Sequence, residues 1–490
     1  MLFLFSAMLL FSCLGRLALI DPDEPRYAES AREMMVSGDY AVPHLNFIPR
    51  VNKPGLFYWL ILASYKIFGV SEFAARFPSA VFGLILILGL YFWVKNEIGE
   101  KEAFISSLIL LSTPIFFVIS RLAIIDAVFT TLILLSLFSL WSSLRNKRFL
   151  IPFFLFLGLS LSAKGPAGVI IIFLAALVFS LLQRDSTIMK RFFHPLGILT
   201  VLIIGGSWYF LLLDKIGWVQ FKSLILQETL GRFQEGFVHK EPYYYYLFVV
   251  LGGFLPWSLF LFSFKKIDFK NKFVKFLMVF ILVTLSFFTL CKSKLPTYIL
   301  PVFPALAVVS AGVISKVWNR KRKETAALFF IFLLCAVLIL FLPLKLMEPL
   351  TSSAVRRISL FFVLISVIFL FLSKFKMKTQ FFCFLLTPVL IYFFLLFNFG
   401  DEFSRYRSCR ELFRTQDISQ DEIYTWNLFE PSIVFYSRKK VKELRDLKDF
   451  KGKYLIIKKE DWSLFAGYKL SSKAVSETHK YYLLRVFPGT

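Results

Sequence analysis

Three carboxylates, Asp21, Asp23 and Glu24, follow directly on an apolar stretch that begins at residue 2, in the run IDPDEPRYAESAREMM. A positioned carboxylate can remove a proton from a hydroxyl nucleophile, typically worth ~10²–10⁴-fold in rate, or orient a nucleophile that is already ionised. A structural reading competes. Asp23 can cap a helix whose first turn holds Glu24 and Pro25 and which Gly38 closes, and an acidic first turn complements the helix dipole. Capping accounts for one carboxylate more readily than for three. Asp126 is a fourth, in RLAIIDAVFT, just inside another apolar stretch. An ionisable group there is costly and implies either a partner or a function. Arg121, five residues earlier, is the local partner for a structural clasp. The functional alternative has Asp126 facing a cavity shared with Asp23.

Cations accompany these acids: Lys53 before Pro54, Lys164 in AKGP, Arg232 in ETLGRF, and Lys292 and Lys294 in CKSKLPTY. Snorkelling explains any one of them. Several on one face beside carboxylates suit an anionic ligand arriving through the membrane, a lipid phosphate above all, since lysine binds phosphate as a point charge and arginine as a fork. Arg26, Tyr27 and Arg121 are expected to line the substrate pocket. The chain carries no Gly-rich phosphate loop, HExxH pair or nucleophile-elbow serine, and its four histidines are scattered. Its five cysteines have neither disulfide-framework nor metal-ligand spacing.

The elements that hold these residues follow from composition. Of 490 residues 57% are hydrophobic and 18% charged, against about 45–50% and about 25% in soluble domains. Apolar stretches of roughly the 20 residues needed to cross a bilayer recur along the chain. They predict about thirteen spans, at 2–20, 78–94, 103–119, 124–141, 150–163, 166–182, 196–213, 246–263, 276–290, 298–315, 325–343, 358–373 and 381–398. A net charge of +25 would suggest nucleic acid in a soluble chain. Here the basic runs (among them Arg145–Arg148, Lys265–Lys272, Arg320–Lys323 and Lys374–Lys378) all fall in loops on one side of the thirteen-span count. The positive-inside rule makes that side cytoplasmic and excludes nucleic acid as the partner. The N-terminus is then cytoplasmic, and the first span lacks the basic start and cleavage site of a signal peptide.

Three larger segments fall outside: 21–77, 214–245 and 399–490. Segment 53–68 suits a re-entrant or interfacial helix with Tyr58, Trp59 and Tyr65 at headgroup level. In the tail, 421–427, 432–437, 453–458 and 480–487 are β-branched and aromatic, predicting strands of a small mixed α/β domain. The expected organisation is therefore an α-helical polytopic domain, 1–398, with first outer loop 21–77, followed by a C-terminal domain, 399–490.

The run DEPRYAESAREMMVSGDYAVPHLN…VNKPGLFYWL resembles the first-loop signature of the bacterial aminoarabinose (lipid A) transferase family, within the protein-mannosyltransferase-like superfamily. RLAIIDAVFT, SAKGPAGV, ETLGRF, PYYYYLFVVLGGFLPW and SKLPTYILPVFPALA resemble later motifs in order, across roughly residues 20–310, with a weaker echo at PSIVFYSRKKV. The resemblance implies the GT-C architecture, a periplasmic C-terminal domain and a polyprenyl-phosphate-linked sugar donor at the outer face of the bacterial inner membrane. It implies as acceptor a lipid A-like lipid, a glycan or a protein, and single displacement with inversion at the sugar. By it Asp23, with Glu24, and Asp126 match the acidic catalytic positions, and Lys53, Arg232, Lys294 and Tyr298 the donor-phosphate positions. Asn52, Thr229 and Gly55 depart from the family pattern, which has Glu, His and a second Pro there. The first two can form a metal site in relatives; in this chain no metal or other cofactor is expected. The rival reading from another class is a lipid or polysaccharide transporter, which would set its charges near the bilayer midplane in repeated halves. The charges here lie at the outer ends of spans, and no repeat is visible.

Overall fold

The computed structural model describes residues 1–226, 241–262, 267–319, 324–341, 352–414, 421–468 and 470–487. It is a helical membrane unit followed by a small sheet. Among the described residues six helices are long and apolar enough to cross a membrane: Glu72–Glu97, Asp126–Ser143, Pro195–Ser223, Lys272–Leu290, Ser353–Leu372 and Met377–Arg407. In the first third of the chain the helices are α1 (Leu2–Phe11), α2 (Asp23–Ser37), α3 (Leu56–Phe68), α4 (Glu72–Glu97), α5 (Glu100–Ser112), α6 (Pro114–Ile119), α7 (Asp126–Ser143) and α8 (Leu150–Lys164). A short hairpin, β1 (His44–Leu45) with β2 (Ile48–Pro49), lies between α2 and α3.

Every predicted span overlaps helix, but several are shorter or broken. The first ends at Phe11 rather than near residue 20. The third breaks at Thr113, where Pro114 opens α6. The last runs on to Arg407, beyond the expected boundary at 398. The early stop of α1 has a visible cause. Arg121 donates to the carbonyls of Leu9, Leu10 and Ser12, and Arg76 to those of Leu14, Leu17 and Ala18. Irregular backbone at a membrane edge is tolerated where protein satisfies its polar groups.

The C-terminal unit is a five-stranded sheet of order β4-β3-β5-β7-β6. Strands β3 (Ile423–Trp426), β4 (Val441–Leu444) and β5 (Tyr454–Lys458) are parallel. Strands β6 (Ser472–Glu477) and β7 (Tyr481–Val486) complete it antiparallel. β3 is buried along its whole length, as a parallel strand covered on both faces should be. Three of the four predicted strands are present. The fourth, 432–437, is instead the helix Pro431–Ser437, while β4 and β6 were not anticipated. Pro431 at the first helical position favours the helix, and burial of Ile433, Val434 and Phe435 outweighs their β preference.

The tightest connection in the outer part of the fold is a buried ion pair. Glu24 and Arg76 are each 2% exposed. Glu24 Oε1 accepts from Arg76 Nε and from the Ala123 amide, both at 2.7 Å, and Oε2 from Arg76 Nη2 at 2.7 Å and the Ile20 amide at 2.9 Å. With its three carbonyl contacts, Arg76 has all five N–H groups engaged. Breaking such a pair by removing one charge leaves the other buried and uncompensated, which costs about 3–5 kcal/mol. Glu24→Gln is therefore expected to lower the thermal midpoint of the detergent-purified protein sharply. An unchanged midpoint would show that Arg76 finds other compensation.

Candidate active site

Helix α2 begins at Asp23, and Gly38, with φ 71°, closes it by donating its amide to the Met34 carbonyl. Asp23 does not cap the helix: Pro22 occupies that position and no side-chain cap bond is made. The three adjacent carboxylates diverge. Glu24 turns inward to Arg76. Asp21 turns to the C-terminal unit, accepting from the Ser432 amide at 3.0 Å and from the Ser432 hydroxyl. Asp23 stays accessible, its side chain 66% exposed, with one contact to Arg26 Nη1 at 3.3 Å.

Asp126 is the first residue of α7, where the helix dipole favours a carboxylate. Its partner is Lys164, with Nζ–Oδ1 2.6 Å and both side chains 12% exposed. The clasp with Arg121 does not form, because Arg121 is committed to the end of α1 and to Tyr392, whose hydroxyl lies 3.3 Å from Nε. Helices α7 and α8, of 18 and 15 residues, are joined by a short turn. The start of one therefore lies level with the end of the other, and Lys164 sits favourably at a helix C-terminus. The Lys164 ammonium also lies 4.8 Å from the centre of the Tyr298 ring and 5.2 Å from that of Phe129.

Tyr27 links the two acidic positions. Its ring meets Phe57 edge-on at 5.1 Å and Tyr58 at 5.5 Å. Burial first, then Tyr58, Asp126 and, more weakly, Asp23 hold its phenol well above its usual range, with Arg50 opposing. Arg50 Nη1 donates to the Tyr58 hydroxyl at 3.2 Å. The structure thus gathers Asp23, Arg26, Tyr27, Asp126, Lys164 and Tyr298 around one region, with Arg50 and Tyr58 as members that sequence reasoning missed. Their signal was slight: an arginine three residues before Lys53, and a tyrosine assigned to the headgroup level. Tyr58 and Tyr65 are buried within the protein instead, the Tyr65 hydroxyl donating to the Ala28 carbonyl at 3.2 Å.

Lys53 lies half-buried in the turn before α3. The glycine two residues on is explained by packing, since a Cβ on Gly55 would stand 2.4 Å from Trp208 Cδ1. Lys294 is buried, with Nζ donating to the Glu241 carbonyl at 3.0 Å, and so braces the turn CKSKLPTY that carries Tyr298. Arg232 and Thr229 lie outside the described residues. Asn52 is exposed, and among the described residues no three His, Cys, Asp or Glu side chains converge to hold a metal ion.

Asp21 supplies a pH handle. Burial pushes its carboxyl up from 3.8 to about 7, Glu430 adds to the shift, and the Ser432 bonds and Arg26 oppose it. The folded state therefore binds more protons than the unfolded state between about pH 4 and 7, and this contribution to stability falls as pH rises through that window. Subtracting the Asp21→Asn melting profile from the wild-type profile isolates the effect. The difference should shift against the wild type as pH rises from 5 to 8, and a flat difference would remove Asp21 as its source.

Comparison with known proteins adds an independent line. Residues 52–209 match the family described as dolichyl-phosphate-mannose-protein mannosyltransferase. An uncharacterized protein of Aquifex aeolicus (strain VF5) is 30% identical over 446 residues, covering 88% of this chain and 85% of its own length. The undecaprenyl phosphate-alpha-4-amino-4-deoxy-L-arabinose arabinosyl transferase of Wigglesworthia glossinidia brevipalpis is 32% identical over 324 residues, covering 62% of this chain. That match spans 56% of the transferase's own length. Among solved structures, that of ArnT from Cupriavidus metallidurans bound to undecaprenyl phosphate superposes with a TM-score of 0.83 at 20% identity. The superposition covers 99% of this chain and 97% of that one, a likeness of fold.

Proposed function

Because the chain belongs to the aminoarabinose lipid A transferase-like family of GT-C membrane glycosyltransferases, we propose that it moves a sugar from a polyprenyl-phosphate donor to an acceptor at the outer face of a bacterial inner membrane. The observation that carries this reading is the division of the acidic cluster: of the three acids Asp23 is the exposed one, it acts with Asp126 on the Tyr27 phenol, and Lys164 pairs with Asp126 and lies over Tyr298. Undecaprenyl phosphate, named in the structural relative, supplies the chemistry such a site suits. In this reading residues 1–398 form the catalytic unit with loop 21–77 periplasmic, residues 399–490 form a periplasmic domain, and the N-terminus is cytoplasmic. The acceptor is a lipid A-like lipid, a glycan or a protein.

The transfer breaks the bond between the anomeric carbon and a phosphate oxygen and forms one to the acceptor oxygen, with inversion. Lys53, Arg232 and Tyr298 offset or hydrogen-bond the charge that develops on the departing polyprenyl phosphate, and Lys294 braces the turn that carries Tyr298. Preorganised charge of this kind acts most strongly away from bulk water. Asp23 removes the proton of a hydroxyl acceptor, or orients a phosphate acceptor that is already ionised. Lys164 holds Asp126 in place, and Arg26 and Tyr27 contact the substrate. Glu24 acts through position, fixing the backbone beside Asp23, and Arg121 by anchoring α1 beneath the site.

Asp23→Asn is expected to insert and melt like the wild type and to lose at least about 100-fold in turnover of polyprenyl-phosphate sugar, in line with loss of a general base. The readout is release of polyprenyl phosphate together with labelled acceptor; near-wild-type turnover would take Asp23 out of the chemistry. A second expectation concerns metal. Activity should survive exhaustive EDTA treatment, and a more than tenfold loss restored by Zn²⁺, Mg²⁺ or Mn²⁺ would reveal a required ion.

A further inference from the structure

The backbone just before Asp23 has an unusual set of partners. Four consecutive amides are captured, three of them by the far end of the chain: Ala18 by the Ser404 hydroxyl at 3.2 Å, Leu19 by the Tyr436 hydroxyl at 2.8 Å, and Asp21 by the Arg407 carbonyl at 2.9 Å. The remaining one, Ile20, donates to Glu24. The Asp21 carboxyl receives the amide and the hydroxyl of Ser432. Tyr436 in turn donates to Glu72 Oε1 at 3.1 Å, the carboxylate that Arg410 also contacts at 3.4 Å. Beyond α2, Asn46 in the hairpin turn exchanges two bonds with the backbone of Val441, at 2.8 and 2.7 Å. The segment PSIVFYSRKKV, residues 431–441, therefore grips the candidate catalytic loop both before α2 and after it.

We propose that Ser432 and Tyr436 of the C-terminal unit are positioning residues for Asp23, holding residues 19–21 so that α2 starts in the register that aims its first side chain at the substrate. The inference rests on the transferase reading and deepens it: the C-terminal unit is part of the working active site. The physical reason is leverage. Among the described residues Asp23 makes one polar side-chain contact, to Arg26, so its placement comes from the backbone on either side of it. Glu24 secures the following residue through Arg76, and on the preceding side Ser432 holds the Asp21 carboxyl while Tyr436 holds the Leu19 amide. An exposed carboxylate set this way shifts when one of its two anchors is cut, and a displacement of about 1 Å can cost about 100-fold in rate.

The test uses the purified full chain with polyprenyl-phosphate sugar, comparing wild type, Ser432→Ala, Ser432→Thr and Tyr436→Phe. Ser432→Ala and Tyr436→Phe should lower kcat by about 10- to 100-fold per folded molecule while KM for the donor stays within about twofold. Ser432→Thr, which keeps the hydroxyl, should recover most of the lost turnover. Amide hydrogen exchange of residues 18–27 gives a readout independent of activity, and should speed up in the Ala and Phe variants relative to wild type. Unchanged kcat per folded molecule would overturn the proposal, as would unchanged exchange protection at residues 18–27 or a Thr variant no better than Ala. If the wild type itself turns over no donor while the exchange pattern changes as expected, the tether stands and the transferase reading fails.

Discussion

The buried pair between Glu24 and Arg76 ties together four segments that would otherwise meet only loosely at the outer edge of the membrane unit. Arg76 comes from α4, and its carbonyl contacts fix the irregular backbone after α1. Glu24 belongs to the first turn of α2, beside Asp23, and receives the amide of Ala123, three residues before Asp126. The exposed Asp23 and the largely buried Asp126 thus both sit at helix starts braced by one carboxylate. Desolvating two charges is expensive, and a pair whose hydrogen bonds are fully used is the arrangement that offsets the cost. Its geometric consequence matters more than its net energy, because Asp23, with its one contact to Arg26, could not hold its position through its own side chain.

Around that brace the charges sort by accessibility. Asp21 is spent on docking the C-terminal unit, Glu24 on the core, and Asp126 is neutralised by Lys164 at the level where α7 begins and α8 ends. Asp23 keeps exposure and freedom to meet a ligand. A site that handles a lipid-linked phosphate needs cations near the leaving group and a carboxylate on the side of the incoming nucleophile, and a scaffold that separates the two by fixed backbone serves both.

Much of this was legible in the sequence because it rests on local signals. Apolar length marked where helices lie, Gly38 closed α2 as expected, and the family-like motifs singled out Asp23, Asp126, Lys53 and Tyr298 as candidates. What escaped depends on contacts between distant segments. Lys164 was noted only as an outer cation, since its pairing with Asp126 follows from the matched lengths of α7 and α8. Arg121 was paired with Asp126 by proximity in sequence, whereas its guanidinium reaches the last carbonyls of α1. Residues 432–437 read as a strand by composition and fold as a helix because their apolar side chains dock inward and Pro431 starts the turn. Tyr58 and Tyr65 look interfacial on a helix of 13 residues, but α3 packs against α2 and buries them.

A structure of the Asp23→Asn protein with bound polyprenyl-phosphate sugar would show how the donor meets residue 23. The donor phosphate is expected against Lys53 and Tyr298. The anomeric carbon is expected open on the side facing residue 23, with room for an acceptor oxygen at about 3–3.5 Å, the separation of a near-attack geometry. A donor whose phosphate lies away from Lys53, or whose anomeric carbon faces away from residue 23, would contradict that placement.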